Sequence, residues 1–388
     1  MQFHDLLIGL VIILLAAKLG GELMARLGQT AVLGELLAGV VIGPGVLGLV
    51  SETEILHALA ELGVLILLFE VGLEADLSKL LKAGPQAGLV AVVGVVVPFA
   101  AGFGLMHGLG HPGLVAVFVG ATLTATSVGV TARVLTDLGQ LQDPAAAVVL
   151  GAAVVDDILG LLTLAVVTGI AATGRVSPGG IAFLGVKSVV FLVIAVLIAL
   201  RRAPVLVGLI GRLQARGALV VSAVVFALAA AATAEWIGLA AIIGAFAAGL
   251  ILSRTEPHAK IEDRIKPVAD LLVPIFFVTV GMKVELSKLN PFAEGAQLGL
   301  ALALAVVAIG SKLVAGLAVY HPGTRRWPVG VGMVPRGEVG LIFAGAGLAA
   351  AVVAPDLYSA LVVMVMITTF VAPPWLKALY RPAAATAV

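Results

Sequence analysis

Asp156 and Asp157 are adjacent carboxylates inside an otherwise uncharged apolar run, Ala145–Ala172. Burying one carboxylate at the centre of a bilayer costs at least ~2.5–3.5 kcal/mol. Neighbouring side chains on an α-helix point about 100° apart, so one carboxylate is free to face an ion cavity while the other meets a different helix. Two close carboxylates also titrate as a coupled pair. The pair predicts a site where protons and a small cation compete; a structural ion pair or capped helix break is the alternative.

Lys312 is a second charge deep in an apolar segment, too far from either end to reach the interface easily. It requires a carboxylate partner or must lose its proton, and the candidates of similar depth are Asp156, Asp157 and Glu338. A pair between Lys312 and Asp156 in the cation-free state would break, or the lysine would deprotonate, as a cation arrives. A purely stabilising pair remains open and is compatible with that interpretation.

Two segments carry helix-weakening residues, Thr122–Gly129 and Met333–Gly340. Pro335 removes a backbone donor, and the glycines weaken helix around it. If both helices are broken where they cross, their dipole ends and free carbonyls face the aspartates. An ordinary proline-kinked helix is the alternative for the second segment.

Four polar side chains in these segments are candidates for the same site. Thr126 and Ser127 supply hydroxyl oxygens, so the predicted ligands of the small cation are these two residues with Asp156 and Asp157. Arg336 and Glu338 are predicted to compensate the half-helix ends. The alternatives are an Arg336–Glu338 pair and local hydroxyl bonds to helix carbonyls.

Composition predicts an all-α polytopic membrane protein. Of 388 residues, 61% are hydrophobic and 12% are charged, against about 25% charged in soluble domains. The lipid bilayer is therefore a partner, and no basic tract suggests nucleic acid. There is no cysteine, P-loop, zinc spacing or nucleophile elbow, so we expect no enzyme and no cofactor, with ion gradients as the energy source.

Apolar runs long enough to cross a ~30 Å hydrocarbon core predict thirteen transmembrane helices. The predicted spans are roughly 6–27, 31–49, 56–73, 86–109, 113–135, 145–172, 180–200, 217–237, 239–253, 268–283, 296–320, 327–354 and 357–380. Turn chemistry marks breaks at Gly43-Pro44-Gly45, Gly84-Pro85, Pro178-Gly179 and Pro322-Gly323.

Lysine and arginine in the predicted loops set the orientation. Sixteen lie in loops after odd-numbered spans and in the C-terminal tail, against three after even-numbered spans. This bias predicts an outside N-terminus and a cytoplasmic C-terminus, which requires an odd number of spans.

Two sequence matches indicate an internal repeat. Leu33–Gly39 resembles Ile243–Gly249 at an offset of 210, and Val71–Leu77 resembles Val280–Leu286 at 209. The offset maps spans 1–6 onto spans 8–13, with span 7 as a connector. A displacement of seven spans inverts one half in the membrane, as is typical of secondary carriers.

The remaining titratable groups carry less weight. Four glutamates near helix ends are predicted mainly to be solvated or paired: Glu22, Glu35, Glu70 and Glu74. Two histidines, His107 and His111, lie in a predicted loop.

The chain resembles the monovalent cation:proton antiporter-2 family, particularly its NapA-type sodium/proton antiporters. The resemblance rests on the order of Gly34-Glu35-Leu36-Leu37-Ala38-Gly39 with Gly43-Pro44, Val71–Glu74, Ala125–Leu135, Asp156-Asp157, Lys312 and Pro335–Leu341. It implies an NhaA-like fold with crossed discontinuous helices, a homodimer in the prokaryotic inner membrane, and an elevator-like motion.

The resemblance also implies a division of labour. Asp157 becomes the principal cation and proton carboxylate, and Asp156 pairs with Lys312 when no cation is bound. Adjacent aspartates resemble the electrogenic branch, with two protons per sodium. The implied units are dimerisation-side helices in 1–85 and 217–290, core helices in 86–175 and 291–388, and a connector in 176–216.

The sequence thus predicts a Na⁺ (or Li⁺)/H⁺ antiporter that serves sodium and pH homeostasis. A K⁺/H⁺ exchanger or potassium-efflux protein of the same family is the main alternative. The nucleotide-binding domain common in potassium-efflux relatives is not expected, and neither is another soluble regulatory domain. A sodium-coupled symporter for an organic anion is a third possibility.

Overall fold

The structure is a computed structural model that describes residues 3–173, 178–201, 217–255, 258–284 and 295–380. Every regular element in these ranges is an α-helix. In chain order the helices are α1 (Phe3–Arg26), α2 (Ala31–Ile42), α3 (Glu54–Glu74), α4 (Leu77–Gly108), α5 (Gly113–Thr124), α6 (Val128–Asp137), α7 (Pro144–Thr173), α8 (Pro178–Arg201), α9 (Ala218–Trp236), α10 (Ala241–Leu252), α11 (His258–Met282), α12 (Gly295–Leu317), α13 (Arg326–Gly332), α14 (Gly337–Ala349) and α15 (Pro355–Tyr380). The all-α prediction is confirmed.

Several of these helices can cross a membrane. Within the described ranges, nine helical segments are long and apolar enough, counting α5 with α6 as one, and a tenth if α13 and α14, bent by 45°, form one span. Helices α2 and α10 and part of α8 are shorter apolar segments. The polytopic class is confirmed, whereas the number thirteen stays a prediction. Much of the predicted connector 176–216 lies outside the described residues, as do Arg175, Arg202, Arg212, Arg216, Lys288 and Arg381 from the orientation count.

The outer surface of α1 suits a lipid environment. Leu15, Leu19 and Leu23 recur every four residues and are 58%, 70% and 56% exposed. A contiguous exposed leucine stripe is unfavourable in water but is matched by hydrocarbon. On the inner side of the same helix, Ile13 and Ala17 are fully packed.

Helix α4 begins earlier than predicted. The Asp76 carboxylate accepts from the amides of Ser78 and Lys79 at its N-terminus, and Pro85 lies inside the helix. The predicted turn at Gly84-Pro85 is therefore wrong. One interior proline removes a single hydrogen bond, and the packing of a 32-residue helix outweighs it. The predicted unit boundary after residue 85 falls inside this helix.

Helix α11 also begins before its apolar run, at His258 rather than 268. Its first turns are amphipathic: Ile261 and Ile265 are buried, while Asp263 and Arg264 are exposed. A hydropathy criterion overlooks such turns because their mean composition is polar.

Glycines bring four helices into backbone contact. A Cβ added to Gly39 on α2 would overlap a carbonyl oxygen of α11, and one added to Gly281 on α11 would overlap a carbonyl of α2. Gly72 on α3 and Gly249 on α10 have the same reciprocal relationship. Small residues at these points let the backbones approach closely.

Two further close contacts between helix backbones are separated by the repeat offset along the chain. A Cβ on Gly34 would overlap the carbonyl of Gly20, joining α1 and α2, and a Cβ on Gly244 would overlap the carbonyl of Ala230, joining α9 and α10. Both partners in the second contact lie 210 residues after those in the first.

Candidate cation and proton site

Two interrupted helices meet through their breaks. Helix α5 ends at Thr124 and α6 begins at Val128, while α13 ends at Gly332 and α14 begins at Gly337. The Ser127 amide donates to the Pro335 carbonyl over 2.7 Å. Each break therefore satisfies a backbone group that the other leaves free. Thr131 adds a second link, since its hydroxyl donates to the Gly332 carbonyl over 2.6 Å.

Gly337 permits this crossing. Its φ is 49°, in the left-handed region that favours glycine. A Cβ there would also lie 2.5 Å from Ser127 Oγ. Only a residue without a side chain lets the two breaks approach this closely.

Arg336 is fully buried and lies between helix ends. Its guanidinium donates to the Ala125 carbonyl over 2.6 Å and to the Ala308 carbonyl over 2.9 Å. Ala125 directly follows the C-terminus of α5, where a positive charge complements the helix dipole. No ion pair between Arg336 and Glu338 occurs in the described part of the chain. The alternative prediction of an Arg336–Glu338 pair therefore has no support.

Lys312 lies beside Asp156, and both are buried. Its Nζ is 2.7 Å from Thr126 Oγ1 and 3.4 and 3.5 Å from the two Asp156 oxygens. The Thr126 hydroxyl in turn hydrogen-bonds the Asp156 carboxylate. Because a hydroxyl both accepts and donates, Thr126 bridges the two charges. A buried ammonium and carboxylate thus satisfy each other directly and through one hydroxyl.

Asp157 has a different environment. It is 9% exposed, and no hydrogen bond or ion pair of its carboxylate occurs within the described ranges. It lines a small cavity with Leu68, Val128, Leu150, Val154, Ile242, Ile243 and Phe246. Adjacent positions on α7 therefore carry one paired carboxylate and one that faces a gap toward α3 and α10.

Ser127 and Glu338 form a third polar contact. Ser127 Oγ is 2.9 Å from Glu338 Oε2, and Glu338 lies close enough to Asp157 for their charges to interact. Neither Thr126 nor Ser127 lies in a helix, so their hydroxyls contact charged side chains. By contrast, Thr122 and Thr124 bond the carbonyls of Phe118 and Ala121 within their own helix.

The predicted set therefore gathers at one crossing: Asp156, Asp157, Lys312, Thr126, Ser127, Arg336 and Glu338 all lie there. No group of three or more His, Cys, Asp or Glu side chains suited to a metal ion occurs in the described ranges.

A separate cluster of buried charged side chains had only a minor place in the predictions from sequence. Glu35 and Glu70 are only 3% and 5% exposed, and Arg133 on α6 lies close enough to interact with both. Asp137, also on α6, pairs with Arg133 over 3.1 Å and lies close to the amides that begin α2. The missed signal was an arginine and an aspartate four residues apart on a half-helix with no other charged residue.

Three of the remaining titratable residues that the sequence singled out make ordinary contacts. Glu22 pairs with Arg26 in an exposed contact, and Glu74 lies 3.7 Å from Lys266. His107 stacks on Phe103 with 5.6 Å between ring centroids.

Comparison with known proteins identifies the family. The family described as "Sodium/hydrogen exchanger, transmembrane" matches residues 10–381. The chain belongs to the sodium/hydrogen exchanger family. Within this family it is 41% identical to the high-affinity Na(+)/H(+) antiporter NhaS3 of Synechocystis sp., over 97% of this chain and 90% of that protein. The Na(+)/H(+)-K(+) antiporter GerN of Bacillus cereus is 38% identical, over 95% of this chain and 94% of GerN.

The fold of this sodium/hydrogen exchanger family member also resembles a solved structure. The sodium proton antiporter MjNhaP1 of Methanocaldococcus jannaschii superposes with a TM-score of 0.72 at 17% identity, over 99% of this chain and 100% of the other. The predicted resemblance to cation:proton antiporters is confirmed at the family level. So is the prediction of an ion-coupled transporter rather than an enzyme.

Proposed function

We propose that the protein is a secondary active antiporter that exchanges Na⁺ or Li⁺ for H⁺ across the membrane. One observation carries the proposal: adjacent buried carboxylates have different partners. Asp156 contacts Lys312 and Thr126, whereas Asp157 faces a cavity. A carboxylate without a fixed partner is suited to bind a cation and a proton in turn.

The charges at the site support electrogenic exchange. In the proton-loaded state Asp157 is protonated and Asp156 pairs with cationic Lys312, so these three side chains sum to zero. When one Na⁺ enters, Asp157 releases its proton, and Lys312 releases another as Asp156 turns toward the cation. Two protons leave for one Na⁺, and the site becomes one unit more negative. This difference makes the cycle sensitive to membrane voltage.

Transport proceeds by an elevator-like movement of the core helices against the dimerisation-side helices. The cavity at Asp157 supports this division. Val128, Leu150 and Val154 belong to the predicted core units, and Leu68, Ile242 and Phe246 belong to the other units. An apolar boundary has no directional bonds to break when one unit slides past the other.

The inverted repeat is supported by the glycine contacts. Gly39 and Gly72 correspond to Gly249 and Gly281 through the repeat offset. The contact between Gly39 and Gly281 therefore becomes the contact between Gly72 and Gly249 when the halves are exchanged. A pseudo-two-fold relation between the halves accounts for both contacts. We assign spans 1–6 and 8–13 to the two repeats.

The assembly and orientation follow the family resemblance and the loop charges. The protein acts as a homodimer in the prokaryotic plasma membrane, with the N-terminus outside and the C-terminus in the cytoplasm. The positive-inside bias of sixteen to three supports this orientation.

Exchange of K⁺ for H⁺ is a second candidate, because GerN, 38% identical, carries both Na⁺ and K⁺ in its name. The organic-anion symporter has less support. Arg336 was the main candidate for fixing an anionic substrate, but its guanidinium donates to Ala125 and Ala308.

Proton release from proteoliposomes tests the function. Na⁺, Li⁺ and K⁺ are added in turn, with and without an imposed voltage. We expect Na⁺ and Li⁺ to release protons, and Asp157→Asn to abolish the response. The matched control is Asp263→Asn, which alters an exposed aspartate on α11 and should leave the flux unchanged. Unimpaired flux in Asp157→Asn would exclude the proposed site, and a response to K⁺ alone would favour the second candidate.

A further inference from the structure

The hydrogen bond between Ser127 and Glu338 joins residues 211 positions apart. Ser127 lies in the break before α6, and Glu338 lies in the first turn of α14. Ser127 is fully buried, and its oxygen is 2.9 Å from Glu338 Oε2. Compensation of a half-helix end explains a carboxylate at position 338, but it does not explain why that carboxylate accepts from a hydroxyl in the break of the other helix.

Glu338 lies at the start of α14, where its carboxylate meets several polar groups. The carboxylate also accepts from its own backbone amide at the N-terminus of α14, where the helix dipole stabilises a negative charge. Lys283 lies close enough to interact with it. The Ser127 hydroxyl donates to the Oε2 oxygen of Glu338.

The direction of this hydrogen bond determines where the lone pairs of the Ser127 oxygen point. A hydroxyl has one proton and two acceptor lone pairs. When the proton points to Glu338, the lone pairs point elsewhere. Val128, the next residue, lines the cavity of Asp157, so Ser127 directly precedes a residue of the proposed cation site. Without Glu338 the hydroxyl is free to rotate and direct its proton toward the cation.

We propose that Glu338 is a positioning residue for cation binding, which holds the Ser127 hydroxyl with its lone pairs available to a cation at Asp157. This inference rests on the proposed exchange function and adds a third carboxylate to it. Glu338 acts through Ser127 and does not itself contact the cation. The closeness of Glu338 to Asp157 also adds negative potential at a site that must attract a cation.

A double-mutant cycle in proteoliposomes tests the proposal. The proteins are wild type, Ser127→Ala, Glu338→Ala and the double variant, with Glu54→Gln, an exposed glutamate on α3, as the control. The readouts are the KM for Na⁺ and the turnover number. Each single substitution should raise KM about tenfold, as expected for a hydrogen bond to a charged group, with little change in turnover. The double variant should be no worse than the weaker single variant, because both substitutions remove the same interaction.

Two results would overturn the inference: an unchanged KM in Glu338→Ala, or single-variant effects that multiply in the double variant. If Ser127→Ala fails to reach the membrane, Glu338→Gln decides the matter. Its amide oxygen can still accept, so its KM should lie between those of wild type and Glu338→Ala; any other order counts against the proposal. Absence of cation-driven proton release in wild type would instead defeat the proposed function and this inference with it.

Discussion

Lys312 Nζ lies closer to the hydroxyl of Thr126, at 2.7 Å, than to either oxygen of Asp156, at 3.4 and 3.5 Å. The buried ammonium is thus held by a neutral bridging group as well as by an opposite charge. A direct ion pair of this length is loose enough to be exchanged. Thr126 keeps both charges hydrogen-bonded while their direct contact changes.

Thr126→Val should impair transport because it removes the hydroxyl while nearly preserving side-chain volume. Lys312 and Asp156 each lose a hydrogen bond to a charged group, an effect of about 1.5–3 kcal/mol per bond. We expect sodium-driven proton flux to fall at least about tenfold, measured with a pH dye in proteoliposomes. Thr126→Ser, which retains the hydroxyl, is the control, and equal flux in both variants would argue against the bridge.

Lys312→Gln should make exchange less electrogenic or weaken it. The substitution removes the second releasable proton at the site while keeping a hydrogen-bond donor for Thr126. The measurement is proton flux at several imposed membrane potentials, with wild type in parallel vesicles. An unchanged response to voltage would remove the lysine from the charge-transfer step.

Arg336→Ala should destabilise the protein strongly. The Ala125 carbonyl would lose its donor in a buried region, at about 1–3 kcal/mol for an unsatisfied group, whereas the Ala308 carbonyl would keep the Ser311 hydroxyl as a donor. Arg336→Lys should recover only part of this loss, because an ammonium lacks the planar fork of the guanidinium. Melting temperatures in detergent give the comparison, and a wild-type value for Arg336→Ala would contradict the assigned contacts.

Gly72→Ala should disrupt the contact between α3 and α10. The added Cβ would overlap backbone atoms of α10, and such overpacking costs about 1–3 kcal/mol. Gly88→Ala is the matched control, since a Cβ there meets nothing within 4 Å. Its removal of a helical glycine should be neutral or should stabilise by up to about 1 kcal/mol. The melting temperatures of the two variants should therefore move in different directions or by clearly different amounts.

Asp137→Ala should weaken the start of α2. Asp137 on α6 lies close to the amides of Ala31 and Val32, and a negative charge at a helix N-terminus stabilises the helix by about 0.3–1 kcal/mol. Thr30 occupies the N-cap position but makes no cap hydrogen bond, so Thr30→Ala should change stability by less than about 0.5 kcal/mol. Melting temperatures separate the two variants, and a larger effect for Thr30→Ala would reverse the assignment.

The sequence predicted the membrane class, the interrupted helices and the residues of the site. Those features are local: the cost of burying Asp156 or Lys312 in hydrocarbon depends on depth in an apolar run, and Pro335 together with neighbouring glycines weakens the helix there. The starts of α4 and α11 were predicted less well, because Asp76 caps one helix and two buried isoleucines extend the other beyond its apolar run.

The tertiary structure decides which residues the charged and hydroxyl side chains of the site contact. From residue types and depth alone, Lys312 had three possible carboxylate partners, and the hydroxyls of Thr126 and Ser127 could have bonded their own helix. The crossing of two helix breaks brings Thr126 to Lys312 and Ser127 to Glu338. It leaves Asp157 facing a cavity whose walls come from α3, α6, α7 and α10. The depth of a residue in the membrane follows from its position in an apolar run of the sequence. Which oxygen contacts which charge depends instead on the angle and register at which distant helices pack.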